Sequence, residues 1–423
     1  MAPSRKPAPE PVPAALRAFL GRHPEIDRLR VALSGGRDST VLLHALSEQD
    51  RDRRALPLHV HHGLHPLADR QAEHCLHFAA TLGYACEVRE VRVPESPKEG
   101  VEAAARRLRY RALAAGASPG DCILTAHHAA DQAETFLLAA LKGSGPSGLA
   151  AMPELRRLGA CWLGRPLLGV AGSALAAYAA ARDLSWIEDP TNEDRRFDRN
   201  FLRREVLPRL ATRFPAERRL ALAAELQGEV VDVLDGLLDP LLERLQGPDP
   251  QSLDLRQFSA QPPARRPWLL RRFIARAGAA IPRRMPLLEF LRQLEEAGPD
   301  RCPALDWDGY ALRSHRGVLY LLGPSETDRA ELPQGLAWPA GARELRLPDG
   351  RVLTLEELRD AGVTDTADLS VVFRHGGEWL RQPDGTRRSL KNLMQERGIP
   401  PWRRSRIPLI QRRGELVAVL WSR

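Results

Sequence analysis

Ser34, Gly35, Gly36, Arg37, Asp38 and Ser39 form the string with the most specific chemistry in the chain. Its small residues let the backbone close around an anion. A helix starting there would aim its unpaired N–H groups at that anion, and the helix dipole would add to the attraction. The apolar run Val31, Ala32 and Leu33 comes before the string, and a helical pattern through Leu46 follows it. The expected setting is therefore strand, tight turn, helix. The string lacks the GxxxxGK[ST] form of a Walker loop. Its plain alternative is a Gly-Gly turn with Asp38 as a cap.

Three further clusters have the chemistry to work beside it. His59, His61 and His62 close a candidate second strand. Alternation turns His59 and His61 to one face and His62 to the other, which disfavours a three-ligand metal site. What is left is a nucleotide contact, with His62 as the candidate, or a polar strand end. Arg106, Arg109 and Tyr110 share one helix face with Glu102. A planar guanidinium there suits a phosphate or a carboxylate; the alternative is a solvated face. Asp131 and Glu134 stand about one turn apart where a helix begins after the fourth candidate strand. They could hold Mg²⁺ or attract an ammonium group, or Asp131 could cap the helix dipole. Arg203 and Arg204 suit RNA phosphate and a solvated face equally well. Residues 143–148 match GxGxxG but follow a helix, the reverse of the dinucleotide fingerprint, so they read as a flexible loop near the substrate.

These groups act together only if the fold brings them to one rim. Candidate strands at 29–33, 58–62, 87–93, 122–126 and 161–163 alternate with helical patterns at 39–46, 68–82, 101–115, 129–142 and 173–183. That rhythm predicts an α/β fold, a parallel sheet with helices on both faces. Ligands of such sheets sit beyond the carboxyl ends of the strands. The 34–39 string, the histidines and the Asp131 segment follow strands one, two and four, and so share that rim. After about Phe214 the character changes. Helical patterns at 216–244, 267–277 and 287–297 predict a small helical domain over 214–325. Residues 323–341 read as a linker. Short β-like runs at 371–374 and 415–421 around a helix at 389–395 predict a C-terminal α+β domain over 342–423. Residues 1–24 read as a lead and first helix, and 25–213 as the α/β catalytic domain.

Composition narrows the class. The chain has 423 residues, 43% of them apolar, enough for two or three domains with sizeable cores. No run approaches the roughly 18 apolar residues of a membrane span. The Pro- and Ala-rich start has no apolar core and is not a secretory signal. Cys75, Cys86, Cys122, Cys161 and Cys302 form no CxxC pair, which argues against a zinc or iron–sulfur site and fits a reduced cytoplasmic setting. The net charge is +8, and residues 374–413 alone hold eleven basic residues against three acids, the whole of that excess. Such clustering points to a polyanion partner.

Taken together, the strings resemble those of the tRNA(Ile)-lysidine synthetases. The 34–39 string marks only the wider superfamily that cleaves ATP between the α- and β-phosphates, whose fold is adenine nucleotide alpha hydrolase-like. More specific are HVHHGL at 59–64, the 102–110 helix, HHAADQAET at 127–135, the GSG loop at 143–145 and RPLL at 165–168. To these are added IEDPTN at 187–192, FDRNFLR at 197–203, RHGGE at 374–378, LKNLMQE at 390–396 and IPPWRR at 399–404. The resemblance covers nearly the whole chain. In two places the chain departs from the family pattern. Ala130 stands where the family usually has the first of two acids before Gln132, and His61 where it often has Asp.

The resemblance implies a reaction in two steps. ATP adenylates the carbon-2 oxygen of the wobble cytidine in tRNA(Ile) with a CAU anticodon, releasing pyrophosphate. The ε-amine of L-lysine then displaces AMP and lysidine forms. Ser34, Gly35, Gly36, Arg37, Asp38, Ser39 and His62 would hold ATP, with Mg²⁺ held partly by Asp38 to stabilise the leaving pyrophosphate. Asp131 with Glu134 is the candidate to bind the lysine ammonium or take its proton, since free lysine has a pKa of about 10.4 and only the neutral amine attacks. Arg106 or Arg109 would hold the lysine carboxylate or a phosphate. Arg203, Arg204, Arg387, Arg388, Lys391, Arg403 and Arg404 are expected on the tRNA, the basic C-terminal region on its acceptor stem. A homodimer is an open expectation. The rival readings are a tRNA thiolase, for which the scattered cysteines offer no pairing, and a non-catalytic ATP- and RNA-binding protein.

Overall fold

The computed structural model describes residues 10–49, 55–63, 67–94, 100–188, 198–296, 302–327, 335–339, 341–347, 350–381 and 385–421. The expected lead at 1–9, the polar tract at 189–197, Leu64, Asp384, the Glu102 side chain and the 328–334 part of the linker lie outside the described residues. The chain forms two compact units, residues 1–234 and 235–423, so the division falls inside the long helix Ala216–Arg244. No helix among the described residues is long and apolar enough to cross a membrane.

The first unit begins with helix α1 (Pro11–Arg22) and then alternates β1 (Arg28–Ala32), α2 (Arg37–Ser47), β2 (Leu56–His61), α3 (Ala68–Thr81), β3 (Glu87–Glu90) and α4 (Val101–Ala114). It continues through β4 (Asp121–Leu124), α5 (Ala129–Leu141), α6 (Pro146–Leu149), β5 (Leu155–Leu158), β6 (Cys161–Gly164) and α7 (Gly172–Ala181). The sheet order is β3-β2-β1-β4-β6-β5. Every neighbouring pair is parallel except β5 with β6. The antiparallel edge strand β5, short and carrying two arginines, was not foreseen.

Alternation along the strands builds a core on each face. Val31, Leu33 and Leu124 pack with α1, α2 and α7 on one side. Leu58, Val60, Ile123 and Leu163 pack with Leu113 and Tyr110 of α4 on the other. Helices cover both faces as expected. Strand order reverses between the neighbours β1 and β4, and the crevice beyond their carboxyl ends is where such sheets bind ligands. The 34–39 loop leaves β1 there and residues 125–131 leave β4.

The second unit holds the expected helices Arg266–Arg276 and Arg284–Glu296. It also holds an antiparallel sheet that helical periodicity did not announce, ordered Ser252–Asp254, Val318–Leu322, Tyr310–His315 and Ala304–Trp307. Two-residue turns close its hairpins at Asp308-Gly309 and Arg316-Gly317, all four residues at positive φ. Leu336–Ala337, Leu369–Val372, Leu409–Arg412 and Glu415–Val419 form another antiparallel sheet, with Leu390–Glu396 the expected helix.

Candidate active site

The 34–39 loop is held from within. Ser39 Oγ accepts the Ser34 N–H at 3.1 Å and donates to the Gly36 carbonyl at 3.0 Å, while Thr40 Oγ1 donates to the same carbonyl at 3.0 Å. The Ile187 N–H ties down the Gly35 carbonyl at 2.9 Å. Gly35 adopts φ +84°, and a Cβ there would come within 3.3 Å of Cys75 Sγ, so only glycine is unstrained. Gly36 is the N-cap of α2, and no side chain caps that helix start. Its first N–H groups are thus left to an anion.

The acids stand opposite, at the start of α5. His128 is its N-cap: Nδ1 accepts the Ala130 N–H at 3.2 Å, and Asp131 Oδ2 accepts the His128 N–H at 3.0 Å. An acceptor at Nδ1 fixes the tautomer with the proton on Nε2. That nitrogen lies 3.4 Å from Asp38 Oδ2 and 3.7 Å from Asp131 Oδ2, bridging the loop to the acids. Gly172 makes room for the ring, since a Cβ there would sit 3.2 Å from His128 Cε1. Burial pushes the Asp38 carboxyl up, but His128 and the Arg37 guanidinium, 2.9 Å away, outweigh it and hold Asp38 below its ordinary value. Burial likewise lowers His128, and Asp38 and Asp131 reverse this to a net rise.

Glu134 is fully buried. Arg203 grips it with two bonds, Nε to Oε1 at 2.6 Å and a second N–H to Oε2 at 3.1 Å. The same guanidinium reaches Asp131 Oδ1 at 3.2 Å, and Arg199 Nε lies 3.6 Å from Glu134 Oε2. Burial raises the Glu134 pKa and Arg203 opposes it, leaving a net rise. Arg203, expected on tRNA, is thus placed on the acids.

A cationic cluster gathers around Tyr110 of α4. Arg106, Arg109 and Arg156 stand 5.2, 5.6 and 5.8 Å from the Tyr110 ring centre, so the expected face of Arg106, Arg109 and Tyr110 exists. Arg165 is buried, donates to the Pro153 carbonyl at 2.7 Å, and has an unpartnered Nε. Burial pushes His127 down to about 3, with Arg165, Arg106 and Arg199 adding to the effect against Asp131. His127 is therefore a neutral ring bonded to Thr125 Oγ1 at 2.9 Å.

The histidines of β2 divide as alternation requires. His59 Nδ1 meets the Leu33 carbonyl at 2.9 Å and Cys75 Sγ of α3 at 3.3 Å, and His61 pairs with Asp69 of α3 at 2.8 Å. His62 is half-buried at the strand end. In the second unit, Arg387 and Lys391 are exposed. Arg388 pairs with Glu396, Arg403 with Asp249 at 3.0 Å and Glu326 at 3.6 Å, and Arg404 donates to the Ile399 carbonyl at 2.9 Å.

Sequence reasoning missed His128, Arg199, Arg165 and the clamp by Arg203. His128 carried one visible signal, a histidine three residues before Asp131 at a helix start, the spacing of a capping box. The others meet partners too distant in sequence for spacing to reveal.

Family models match three stretches: a PP-loop domain at residues 12–210, a TilS substrate binding domain at 253–320 and a TilS substrate C-terminal domain at 369–421. The chain is 42% identical over 390 residues to a tRNA(Ile)-lysidine synthase of Xanthomonas campestris pv. campestris, covering 90% of this chain and 87% of that one. It is 39% identical to the tRNA(Ile)-lysidine synthase of Pectobacterium atrosepticum, covering 97% and 94%. Among solved structures, U34-tRNA thiolase NcsA from Methanococcus maripaludis with its [4Fe-4S] cluster is similar at TM-score 0.41 and 16% identity, over 51% of this chain and 76% of that one. With relatives so alike along nearly their whole length, and with the loop and acids of its α/β unit meeting at one crevice, the chain belongs to the tRNA(Ile)-lysidine synthase family.

Proposed function

We propose that the chain joins L-lysine to carbon-2 of the wobble cytidine of tRNA(Ile) with a CAU anticodon, using ATP to activate the base. One observation carries the reading: His128 lies between Asp38 of the anion loop and Asp131 of the acid cluster, so activation and amine attack have adjoining sites. In the first step the cytosine O2 attacks the α-phosphorus of ATP, the α–β bond breaks and pyrophosphate leaves. The uncapped start of α2 and the backbone of residues 34–39 face the charge that develops on it. In the second step the lysine Nε, having lost a proton, adds at carbon-2. The bond from that carbon to O2 then breaks and AMP carries the oxygen away.

The residues fit Mg²⁺ in the form in which ATP brings it. Among the described residues no group of three or more His, Cys, Asp or Glu could cage a metal. Mg²⁺ usually takes one or two carboxylates plus phosphate oxygens, and Asp38, held ionised, is the carboxylate at the loop. The ion would supply charge neutralisation on the phosphates. Asp131 is the acid for the lysine ammonium. Its side chain is 15% exposed, while Glu134 is sealed and doubly bonded. Arg106 and Arg109 offer guanidinium groups for the lysine carboxylate or a phosphate. Arg387 and Lys391 are exposed for tRNA phosphate, and a tRNA substrate assigns the reaction to the cytoplasm. Incubation with ATP, lysine and unmodified transcript tests this, with AMP release and the mass of the product nucleoside as readouts. Lysine-dependent AMP release with a lysine-bearing cytidine is expected. Turnover indifferent to lysine would overturn it.

A further inference from the structure

We infer that the outer face of segment 198–214 is a stacking platform for an unpaired RNA base next to the reacting cytosine, an inference that rests on the tRNA reading above. The segment runs as Asp198–Phe201, a π-helical turn Leu202–Val206 and Leu207–Ala211, all within the first unit. Its inner side is spent on packing and on the acids. Leu202 and Leu207 are buried, and Arg203 holds Glu134 and Asp131. Phe201, Glu205, Val206, Arg209 and Leu210 line a depression of about 430 Å³.

Two features of that face identify its ligand. Phe201, on the rim of the depression, is 48% exposed; Phe214, past the segment's last turn and outside that lining, is 49% exposed. Large aromatic rings left half in water have apolar faces still to cover. Of the five arginines in residues 198–214, Arg199 and Arg203 turn to the acids, which leaves the exposed Arg204, Arg209 and Arg213 for the outside. The Arg209 side chain is 84% exposed, with Glu205 4.0 Å away, and Arg213 is exposed as well. Exposed rings rimmed by guanidinium groups match a single strand of nucleic acid, whose bases stack while its phosphates meet the cations. A neutral peptide would satisfy the rings and not the charge.

The position follows from the chain itself. Arg203 lies two residues after Phe201 and grips the acids of the reaction site. A π-helical turn is rare and concentrates at functional sites. Across this junction Arg203 turns to the acids, and Phe201, two residues earlier, lines the outer depression. A base stacked on Phe201 would be registered against the acids by that turn.

The test uses the full chain with anticodon stem-loop RNAs carrying 2-aminopurine in place of the base on either side of the wobble cytosine. Stacking quenches this probe. Wild-type protein is expected to quench at one of the two positions. Phe201→Ala should abolish that quench and weaken RNA binding by roughly 10-fold or more, with ATP affinity unchanged; Phe201→Trp should preserve both. Arg209→Ala, on an exposed side chain, should weaken binding and lower its salt dependence by about one phosphate contact. Quenching at neither position, or a Phe201→Ala protein that binds and quenches as wild type, would overturn the inference. Lysidine formation by wild type is measured alongside, so its absence would count against the tRNA reading and a normal Phe201→Ala against the platform alone.

Discussion

Replacing Arg203 by alanine tests the geometry of the acid cluster most directly. Glu134 is fully buried, with Arg203 bonds at 2.6 and 3.1 Å. Removing one partner of a fully buried pair costs about 3–5 kcal/mol. Two facts reduce that figure here. The Arg203 side chain is 41% exposed, so solvent already screens the pair, and Arg199 Nε stays 3.6 Å from Oε2. A loss of about 2–3 kcal/mol at pH 8 follows, or roughly 4–12 °C in Tm for a unit of this size. The loss must depend on pH. Burial already raises the Glu134 pKa with Arg203 opposing, so without Arg203 it rises further. A carboxyl raised in the folded state holds its proton after the unfolded chain, with a pKa of about 4.3, has released it. Stability then falls as pH climbs between those two values, by up to about 1.4 kcal/mol per unit. The deficit of Arg203→Ala should be largest at pH 8 and shrink toward pH 5. Adding Glu134→Gln should recover more than half of it at pH 8. Thermal melts of wild type, both single variants and the double at two pH values decide the matter. A deficit that is the same at both pH values, or is untouched by Glu134→Gln, would refute the buried-pair argument.

Four further outcomes are expected. Gly35→Ala forces φ +84° and a 3.3 Å contact on a residue with a Cβ, a strain of about 1–2 kcal/mol, and should raise the KM for ATP about 10-fold with tRNA affinity unchanged. His128→Ala removes the cap of α5, costing about 1 kcal/mol, and releases Asp38. Asp38 then protonates at higher pH, so the acid limb of the pH–rate profile should move upward. Asp131→Asn should raise the KM for lysine more than Glu134→Gln does, measured by steady-state AMP release. Arg387→Ala and Lys391→Ala should each lower the slope of log tRNA affinity against log salt by about 0.9, while Arg403→Ala, paired with Asp249 and Glu326, should leave it nearly unchanged.

What could be read in the sequence was local. The 34–39 loop, its strand and its helix are contiguous, and periodicity placed five parallel strands and the rim they share. The antiparallel sheet of the second unit escaped because its strands are three to six residues long, set among strong helices, though Asp308-Gly309 was a visible hairpin signal. Pairings over long separations were not legible: Arg203 lies 69 residues from Glu134. The basic C-terminal stretch shows the same limit. Counted along the chain it has an excess of eight, yet Asp249, Glu326, Asp365 and Asp368 come from outside it to meet Arg403, Arg412 and Arg413.

The groups of the crevice alternate between acids and nitrogen partners from one side to the other: Asp38, His128, Asp131, Arg203, Glu134. For the proposed reaction, that order bears on which acid would serve an incoming ammonium. Both oxygens of the buried Glu134 are taken by Arg203, so its charge is met where it stands. Asp131 shares one oxygen with the His128 N–H and the other with Arg203. A carboxylate offers about four acceptor sites, so it keeps capacity on its exposed edge. Ala130, half-buried on the same turn, adds no second carboxylate there. In the proposed reaction the amine would then meet one acid, and Glu134 would act through Arg203 by fixing where that acid points. The same reasoning makes Arg203→Lys a poor substitute: a single ammonium cannot bond both Glu134 oxygens and Asp131 in one plane, so the acid that receives lysine would lose its orientation even with the charge retained.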